Sequence, residues 1–191
     1  MSAASEPSDA ELAAGAVAGD ERAFSWLMQR HKDGLYRFIR RYTGDADEAY
    51  DLLQESFTAA WGALNRYDRG RPFPTWLRRI ALNKCRDWSR RRTVRRWLTR
   101  NEGLDSWTGQ NLTTDDPSPE AVLSDQEQLT RLDQAIANLP AGLKEPLILT
   151  AIEGLSQDEA GKLLGLTAKA IEVRVYRARR ALSETLALQD L

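Results

Sequence analysis

Apolar side chains recur at intervals of three and four residues through most of this chain, the spacing of one face of a helix. Leu12, Val17, Phe24, Leu27, Met28, Leu35, Phe38 and Ile39 set out helices over 9–18 and 20–42, the second opened by Asp20-Glu21. Gly44 breaks the pattern, and Asp45-Ala46-Asp47-Glu48 starts a helix to about Leu64 with Leu52, Leu53, Phe57, Ala60 and Trp61 on its apolar side. A loop from Asn65 to Pro74 contains Gly70 and two prolines. Thr75 then reads as the cap of a helix to about Arg96, with Pro74 blocking helix upstream. On that helix Leu77, Ile80, Ala81, Lys84 and Trp88 share one face, with Cys85 at its border.

The periodicity lapses from Trp97 to Pro119, where Gly103, Gly109 and Asp115-Asp116-Pro117-Ser118-Pro119 mark a linker. Its Trp97, Leu104, Trp107 and Leu112 are too apolar for a simple spacer and are expected to dock, on a partner or on the two flanking domains. Helical spacing returns over 121–137 with Leu129, Leu132, Ala135 and Ile136 inward. Pro140 suits the first turn of a helix reaching Glu153, which Pro146 should kink or restart. After Gly154, Ser156 and Glu159 form a capping box that opens a short helix to Leu164. Gly165 stops it, and Thr167 caps one more helix. The expected fold class is all-α: two small helical domains joined by a flexible linker.

Charge sharpens this picture. The formal net charge is only −1. Yet residues 66–100 carry 13 basic and two acidic side chains, whereas residues 101–135 carry one basic and eight acidic. Such a cationic segment repels itself unless a polyanion lies against it. Within it Arg79, Asn83, Arg86 and Arg90 fall on the helix face opposite the apolar one. A solvated surface is the plain explanation of such a row, and the excess of one sign argues against it. Trp76 and Trp88, with Phe73 and Tyr67 nearby, supply flat apolar groups that suit stacking with unpaired bases, although packing explains each taken singly. The Asn83 amide both donates and accepts, as reading a base edge requires.

The short helix, glycine turn and longer basic helix near the end form a helix-turn-helix. Ile171, Val175, Ala178 and Leu182 point inward, so Lys169, Glu172, Val173, Tyr176, Arg177 and Arg180 point outward. In a major groove Lys169 suits guanine, Glu172 cytosine and Val173 a thymine methyl, while Arg177, Arg179 and Arg180 suit phosphates.

This order of parts resembles the extracytoplasmic-function (ECF) sigma factors of bacterial RNA polymerase. The resemblance rests on Asp47-Glu48-Ala49-Tyr50-Asp51-Leu52-Leu53-Gln54-Glu55-Ser56-Phe57 and Thr75-Trp76-Leu77-Arg78-Arg79-Ile80-Ala81-Leu82-Asn83 in the first half. Leu139-Pro140, Glu153-Gly154-Leu155-Ser156 and Arg174-Val175-Tyr176-Arg177-Ala178-Arg179 carry it in the second. It implies a region 2 over residues 1–97, a linker over 98–120 and a region 4 over 121–191. It further implies that Asp47, Asp51, Gln54 and Glu55 bind the coiled-coil clamp of the polymerase largest subunit. Phe73, Trp76, Arg79, Asn83, Arg86 and Arg90 would take the melted minus-ten element, with Asn83 lining the pocket for an unstacked base. Lys169, Glu172, Val173, Tyr176, Arg177 and Arg180 would read the minus-thirty-five duplex, and the linker would thread the polymerase channel. The partners it implies are core RNA polymerase, promoter DNA and an anti-sigma protein wedged against both domains. Glu172 stands where many members carry a basic or small residue, so the family's minus-thirty-five preference is not carried over.

No cluster of metal ligands, GxxxxGK loop or nucleophile–base pair occurs in the sequence, and neither catalysis nor a cofactor is expected. His31, the only histidine, reads as a surface or packing residue. No apolar run is long enough to span a bilayer. The polar, acidic start from Met1 to Asp9 and the single cysteine point to the cytosol. Two other readings stay open. A stand-alone helix-turn-helix regulator leaves the arginine row unused, and an RNA-binding or adaptor protein leaves the helix-turn-helix unused.

Overall fold

The computed structural model describes residues 6–101 and 130–187, with side chains over 6–95 and 130–187. The first domain is built from α1 (Asp9–Val17), α2 (Glu21–Thr43), α3 (Ala46–Ala63), a 3-10 turn (Leu64–Arg66) and α4 (Phe73–Asn101). Each start follows from a local cap. Ser8 and Glu11 close a capping box on α1, Asp20 accepts from the Arg22 and Ala23 amides of α2, and Asp45 accepts from Glu48 N of α3. Gly44 ends α2 at φ 74°, the left-handed region where a side chain is strained. The four helices share a core of Leu12 from α1, Leu27, Leu35, Phe38 and Ile39 from α2, Leu52 and Phe57 from α3, and Leu77, Leu82 and Trp88 from α4. His31 ties α1 down: its Nε2 lies 2.8 Å from Asp9 Oδ2, and Arg30 reaches the same carboxylate at 2.7 Å.

α4 departs from expectation at both ends. The Pro72 carbonyl accepts from Thr75 and Trp76 N, so the helix opens at Phe73 and Pro74 sits in its first turn, where no N–H is needed. It runs on through Asn101, because the arginine-rich segment contains no breaker before Gly103. The first residues of the expected linker, 98–101, are therefore helical, and the rest of the linker, with Leu104, Trp107 and Leu112, lies outside the described residues. Cys85 is not at a border but fully enclosed, and burial pushes its thiol up. Lys84 sits instead at the rim, 3.2 Å from Glu55.

The second domain comprises α5 over 130–138, α6 (Ala141–Leu147), α7 (Gln157–Leu164) and α8 (Ala168–Ala187). Pro146 lies inside α6, and the chain widens straight after it into a π turn (Ile148–Ile152), the restart its missing N–H demands. The helix-turn-helix is tightly closed. Ser156 and Glu159 form the expected capping box, and Gly165 takes φ 71°. A Cβ on Gly161 would stand 2.5 Å from the Leu166 carbonyl oxygen, so only glycine lets α7 and the turn come this close.

The two domains are packed against each other. Tyr42, at the end of α2, is fully buried, and so are two charged residues of α6: Lys144 (5% exposed) and Glu145 (6%). The Lys144 Nζ donates to the carbonyls of Tyr42 (2.9 Å) and Ala137 (2.8 Å) and lies 4.1 Å from the centre of the Tyr42 ring. Burial pushes this ammonium down to about 8. Gly44 completes the fit, since a Cβ there would come within 2.7 Å of the Ala137 Cβ.

Candidate nucleic-acid interface

Along α4, Arg79, Asn83 and Arg90 are exposed and Arg86 is half-buried. Arg90 pairs with Asp87 one turn back. Arg86 forms a bidentate pair with Glu145 of the second domain, Nε to Oε1 at 2.8 Å and Nη2 to Oε2 at 2.6 Å, and Tyr42 Oη donates to the same carboxylate at 3.3 Å. Arg79 donates to the Lys162 carbonyl at 3.2 Å, and Arg78 grips Glu153 at 2.9 Å. The arginine row is thus real, and part of it is already engaged by the other domain.

The aromatics divide. Phe73, expected to face DNA, is 1% exposed and belongs to the core. It packs edge-on against Tyr67 at 5.3 Å, with Trp76 at 5.4 Å and His31 at 5.4 Å. The hydrophobic contact of a helix's first residue with the preceding loop holds it inward. Trp88 is likewise buried, beneath the Arg92 guanidinium. Trp76 alone of the expected stacking residues keeps part of its ring at the surface, tilted against Tyr67 at 5.0 Å. The Tyr67 hydroxyl donates to the Arg71 carbonyl at 2.6 Å and Gly70 N to Asp68 Oδ1 at 3.0 Å, which fixes the loop leading into α4.

On α3, Asp51, Gln54 and Glu55 line one shallow cleft with Thr58, Ala59 and Lys84, and Asp47 is exposed one turn earlier. Beside it runs an apolar groove between α2 and α3, two of whose residues, Met28 and Trp61, hydrophobic spacing places on the apolar faces of those helices. Met28 (37% exposed), Tyr50 (57%) and Trp61 (42%) line it, with the Phe24 ring tilted against Trp61 at 4.8 Å. The apolar stripe of α3 is wider than α2 and α4 together cover, which periodicity alone does not reveal.

On α8 the six outward residues all stand exposed, Tyr176 most of all at 69%. Lys169 and Glu172 do not face solvent independently: the ammonium bonds both carboxylate oxygens, at 3.0 and 2.9 Å. Each occupies the group the other would offer to a base. Arg180 pairs with Glu184 at 2.8 Å. Sequence reasoning gave no role to Tyr42, Arg78, Lys144, Glu145 and Glu153, the polar seam between the domains.

Comparison with known proteins meets the same two parts. Residues 27–95 match the family described as Sigma-70 region 2, and residues 129–182 that described as Sigma-70, region 4. The chain is 41% identical over 182 residues, 95% of either sequence, to the RNA polymerase sigma factor CnrH of Cupriavidus metallidurans. It is 31% identical over 172 residues, 88% of this chain and 91% of the other, to the ECF RNA polymerase sigma factor SigW of Bacillus subtilis. Among solved structures, CnrH in complex with the cytosolic domain of CnrY is similar at a TM-score of 0.68 and 35% identity, covering 94% of this chain and 97% of that one. The sigma factor RpoE in complex with the anti-sigma factor NepR from Bartonella quintana shares the fold at a TM-score of 0.64 and 24% identity, over 86% of this chain and 96% of that one. A basic region 2 helix followed by a region 4 helix-turn-helix defines a sigma-70-type initiation factor. Within that class, the chain belongs to the ECF sigma factors, which direct RNA polymerase to particular promoters.

Proposed function

We propose that this sigma factor grips core polymerase through the acidic face of α3 and holds the melted minus-ten strand along α4. The observation that carries the reading is Asn83, exposed in the middle of an arginine row on the region 2 helix. Holding a base out of the stack costs a few kcal/mol. Stacking on Trp76 and charge contacts from Arg79, Arg86 and Arg90 offset that, at about 1–3 kcal/mol for a stacked base. Asp47, Asp51, Gln54 and Glu55 complement a basic clamp, with the groove of Met28, Tyr50 and Trp61 available for its apolar side. Val173, Tyr176 and Arg177 address the minus-thirty-five duplex, and Lys169 and Glu172 must part before either contacts a base. The factor makes and breaks no covalent bond itself; polymerase does the chemistry, in the cytoplasm. An anti-sigma protein is the proposed regulator, supported by the complex of CnrH with the cytosolic domain of CnrY.

Run-off transcription with purified core polymerase and the full chain tests the reading. Specific transcripts from a selected promoter are expected. A stand-alone regulator would bind duplex by itself and leave the core enzyme inert. Replacing Asp51 and Glu55 together by Asn and Gln is expected to weaken core binding severalfold, measured by fluorescence titration of labelled factor. Rim charges of this kind act mainly on association rate, so the loss should shrink at high salt. An unaltered affinity would place the docking face elsewhere.

A further inference from the structure

One carboxylate stands where the recognition helix would meet DNA. Residues 168–182 of α8 carry five basic side chains, Lys169, Arg174, Arg177, Arg179 and Arg180, and a single acidic one, Glu172. A negative charge at that place opposes the phosphates on either side of a groove, so affinity alone does not account for it. Nor does stability. Its pair with Lys169, one turn back, lies at the surface with side chains 50% and 76% exposed, and exposed pairs of this kind add little to a fold. Yet the Lys169 Nζ donates to both carboxylate oxygens, at 3.0 and 2.9 Å. The pair sits in the first turns of α8, the part of a recognition helix that reaches base edges. Its place is fixed from behind: Thr167 Oγ1 accepts from Ala170 N at 3.2 Å, and Ile171 is fully buried.

We propose that Lys169 and Glu172 read one base pair together, a cytosine under the carboxylate and its guanine under the ammonium, with Glu172 acting chiefly by rejecting other bases. This rests on the reading of region 4 as the part that addresses the minus-thirty-five duplex. In the major groove cytosine presents its N4 amino group, a donor that a carboxylate accepts. Guanine presents only the acceptors O6 and N7, and thymine an acceptor and a methyl group, so both leave the carboxylate desolvated without a partner. Adenine is intermediate, with a donor at N6 beside an acceptor at N7. The ranking under Glu172 is therefore cytosine, then adenine, then guanine and thymine. When the pair parts on a matching site, each group exchanges one hydrogen-bond partner for another. On guanine or thymine the carboxylate has no replacement, and the specificity comes from that loss.

The test is transcription by reconstituted holoenzyme from a promoter library randomised through the minus-thirty-five element. One position is expected to favour cytosine by roughly tenfold or more over guanine and thymine. Lys169→Ala and Glu172→Ala should each weaken that preference at this one position, and the double variant should flatten it there while preferences elsewhere persist. Glu172→Gln keeps the size of the side chain and adds a donor, so the favoured base should change to adenine. Relaxation at two separate positions overturns the joint reading. An unchanged profile in Glu172→Ala overturns the proposal outright and leaves the pair a solvated one. An even profile already in the unaltered chain, with Tyr176→Ala equally without effect, faults the reading of region 4 and takes the proposal with it.

Discussion

Phe73→Ala is expected to destabilise the first domain by about 3–5 kcal/mol, the usual cost of removing a buried phenyl ring. The thermal midpoint should fall by roughly 10 °C or more, read by circular dichroism. The reason is position. Phe73 is 1% exposed and touches Tyr67, Trp76 and His31, so a single ring joins the loop before α4, α4 itself and α2. Removing it leaves a cavity at the point where Trp76 is held, and the loop closed by the Tyr67 hydroxyl loses its backing. Phe73→Leu keeps most of the volume and should cost less than about 1.5 kcal/mol, with initiation largely retained. A residue that offered its face to a base would behave in the opposite way. Its alanine variant would melt normally and fail only in transcription. Trp76→Ala is the natural contrast, since part of that ring remains at the surface.

The difference between these two aromatics shows where a sequence stops being informative. Helical spacing separates the faces of an amphipathic helix, and on that basis Arg79, Asn83 and Arg86 share one side of α4, where the structure places them. Phe73 lies at the first residue of the helix, where the face is not yet defined by neighbours on both sides and a preceding loop can cover the ring. The helix-turn-helix was legible for a different reason. Its capping box and its glycine at φ 71° are local devices, set by residues a few positions apart. The seam was not legible. Lys144 and Glu145 sit on a helix whose pattern gives no sign that charged groups are enclosed, and their partners Tyr42 and Arg86 are about 100 and 60 residues away. Pairing over that distance is a property of how the domains meet. The π turn after Pro146 falls between the two cases, because a proline announces a break but not whether the helix bends or widens.

Asn83→Ala is expected to lower discrimination at a single minus-ten position by about 1–3 kcal/mol, roughly 5-fold to 150-fold. Its exposure means that nothing in the fold depends on the amide, so the thermal midpoint and core affinity should hold within error. Arg79→Ala sets the comparison. A guanidinium on a phosphate adds affinity without regard to sequence, so its loss should weaken every promoter alike and lower the salt dependence by about one unit. The two variants therefore separate along different axes, one in the shape of the preference and the other in its overall height. Transcription by reconstituted holoenzyme from a promoter library randomised through the minus-ten element measures both at once. Asn83→Asp sharpens the distinction: it keeps the size of the side chain, removes its donors and adds a negative charge beside the bound strand. It should lose more than alanine does, and the loss should ease at high salt, where the added repulsion is screened. If the alanine variant lowers all library members evenly, the amide serves the backbone and the base-reading role belongs to another residue on the row.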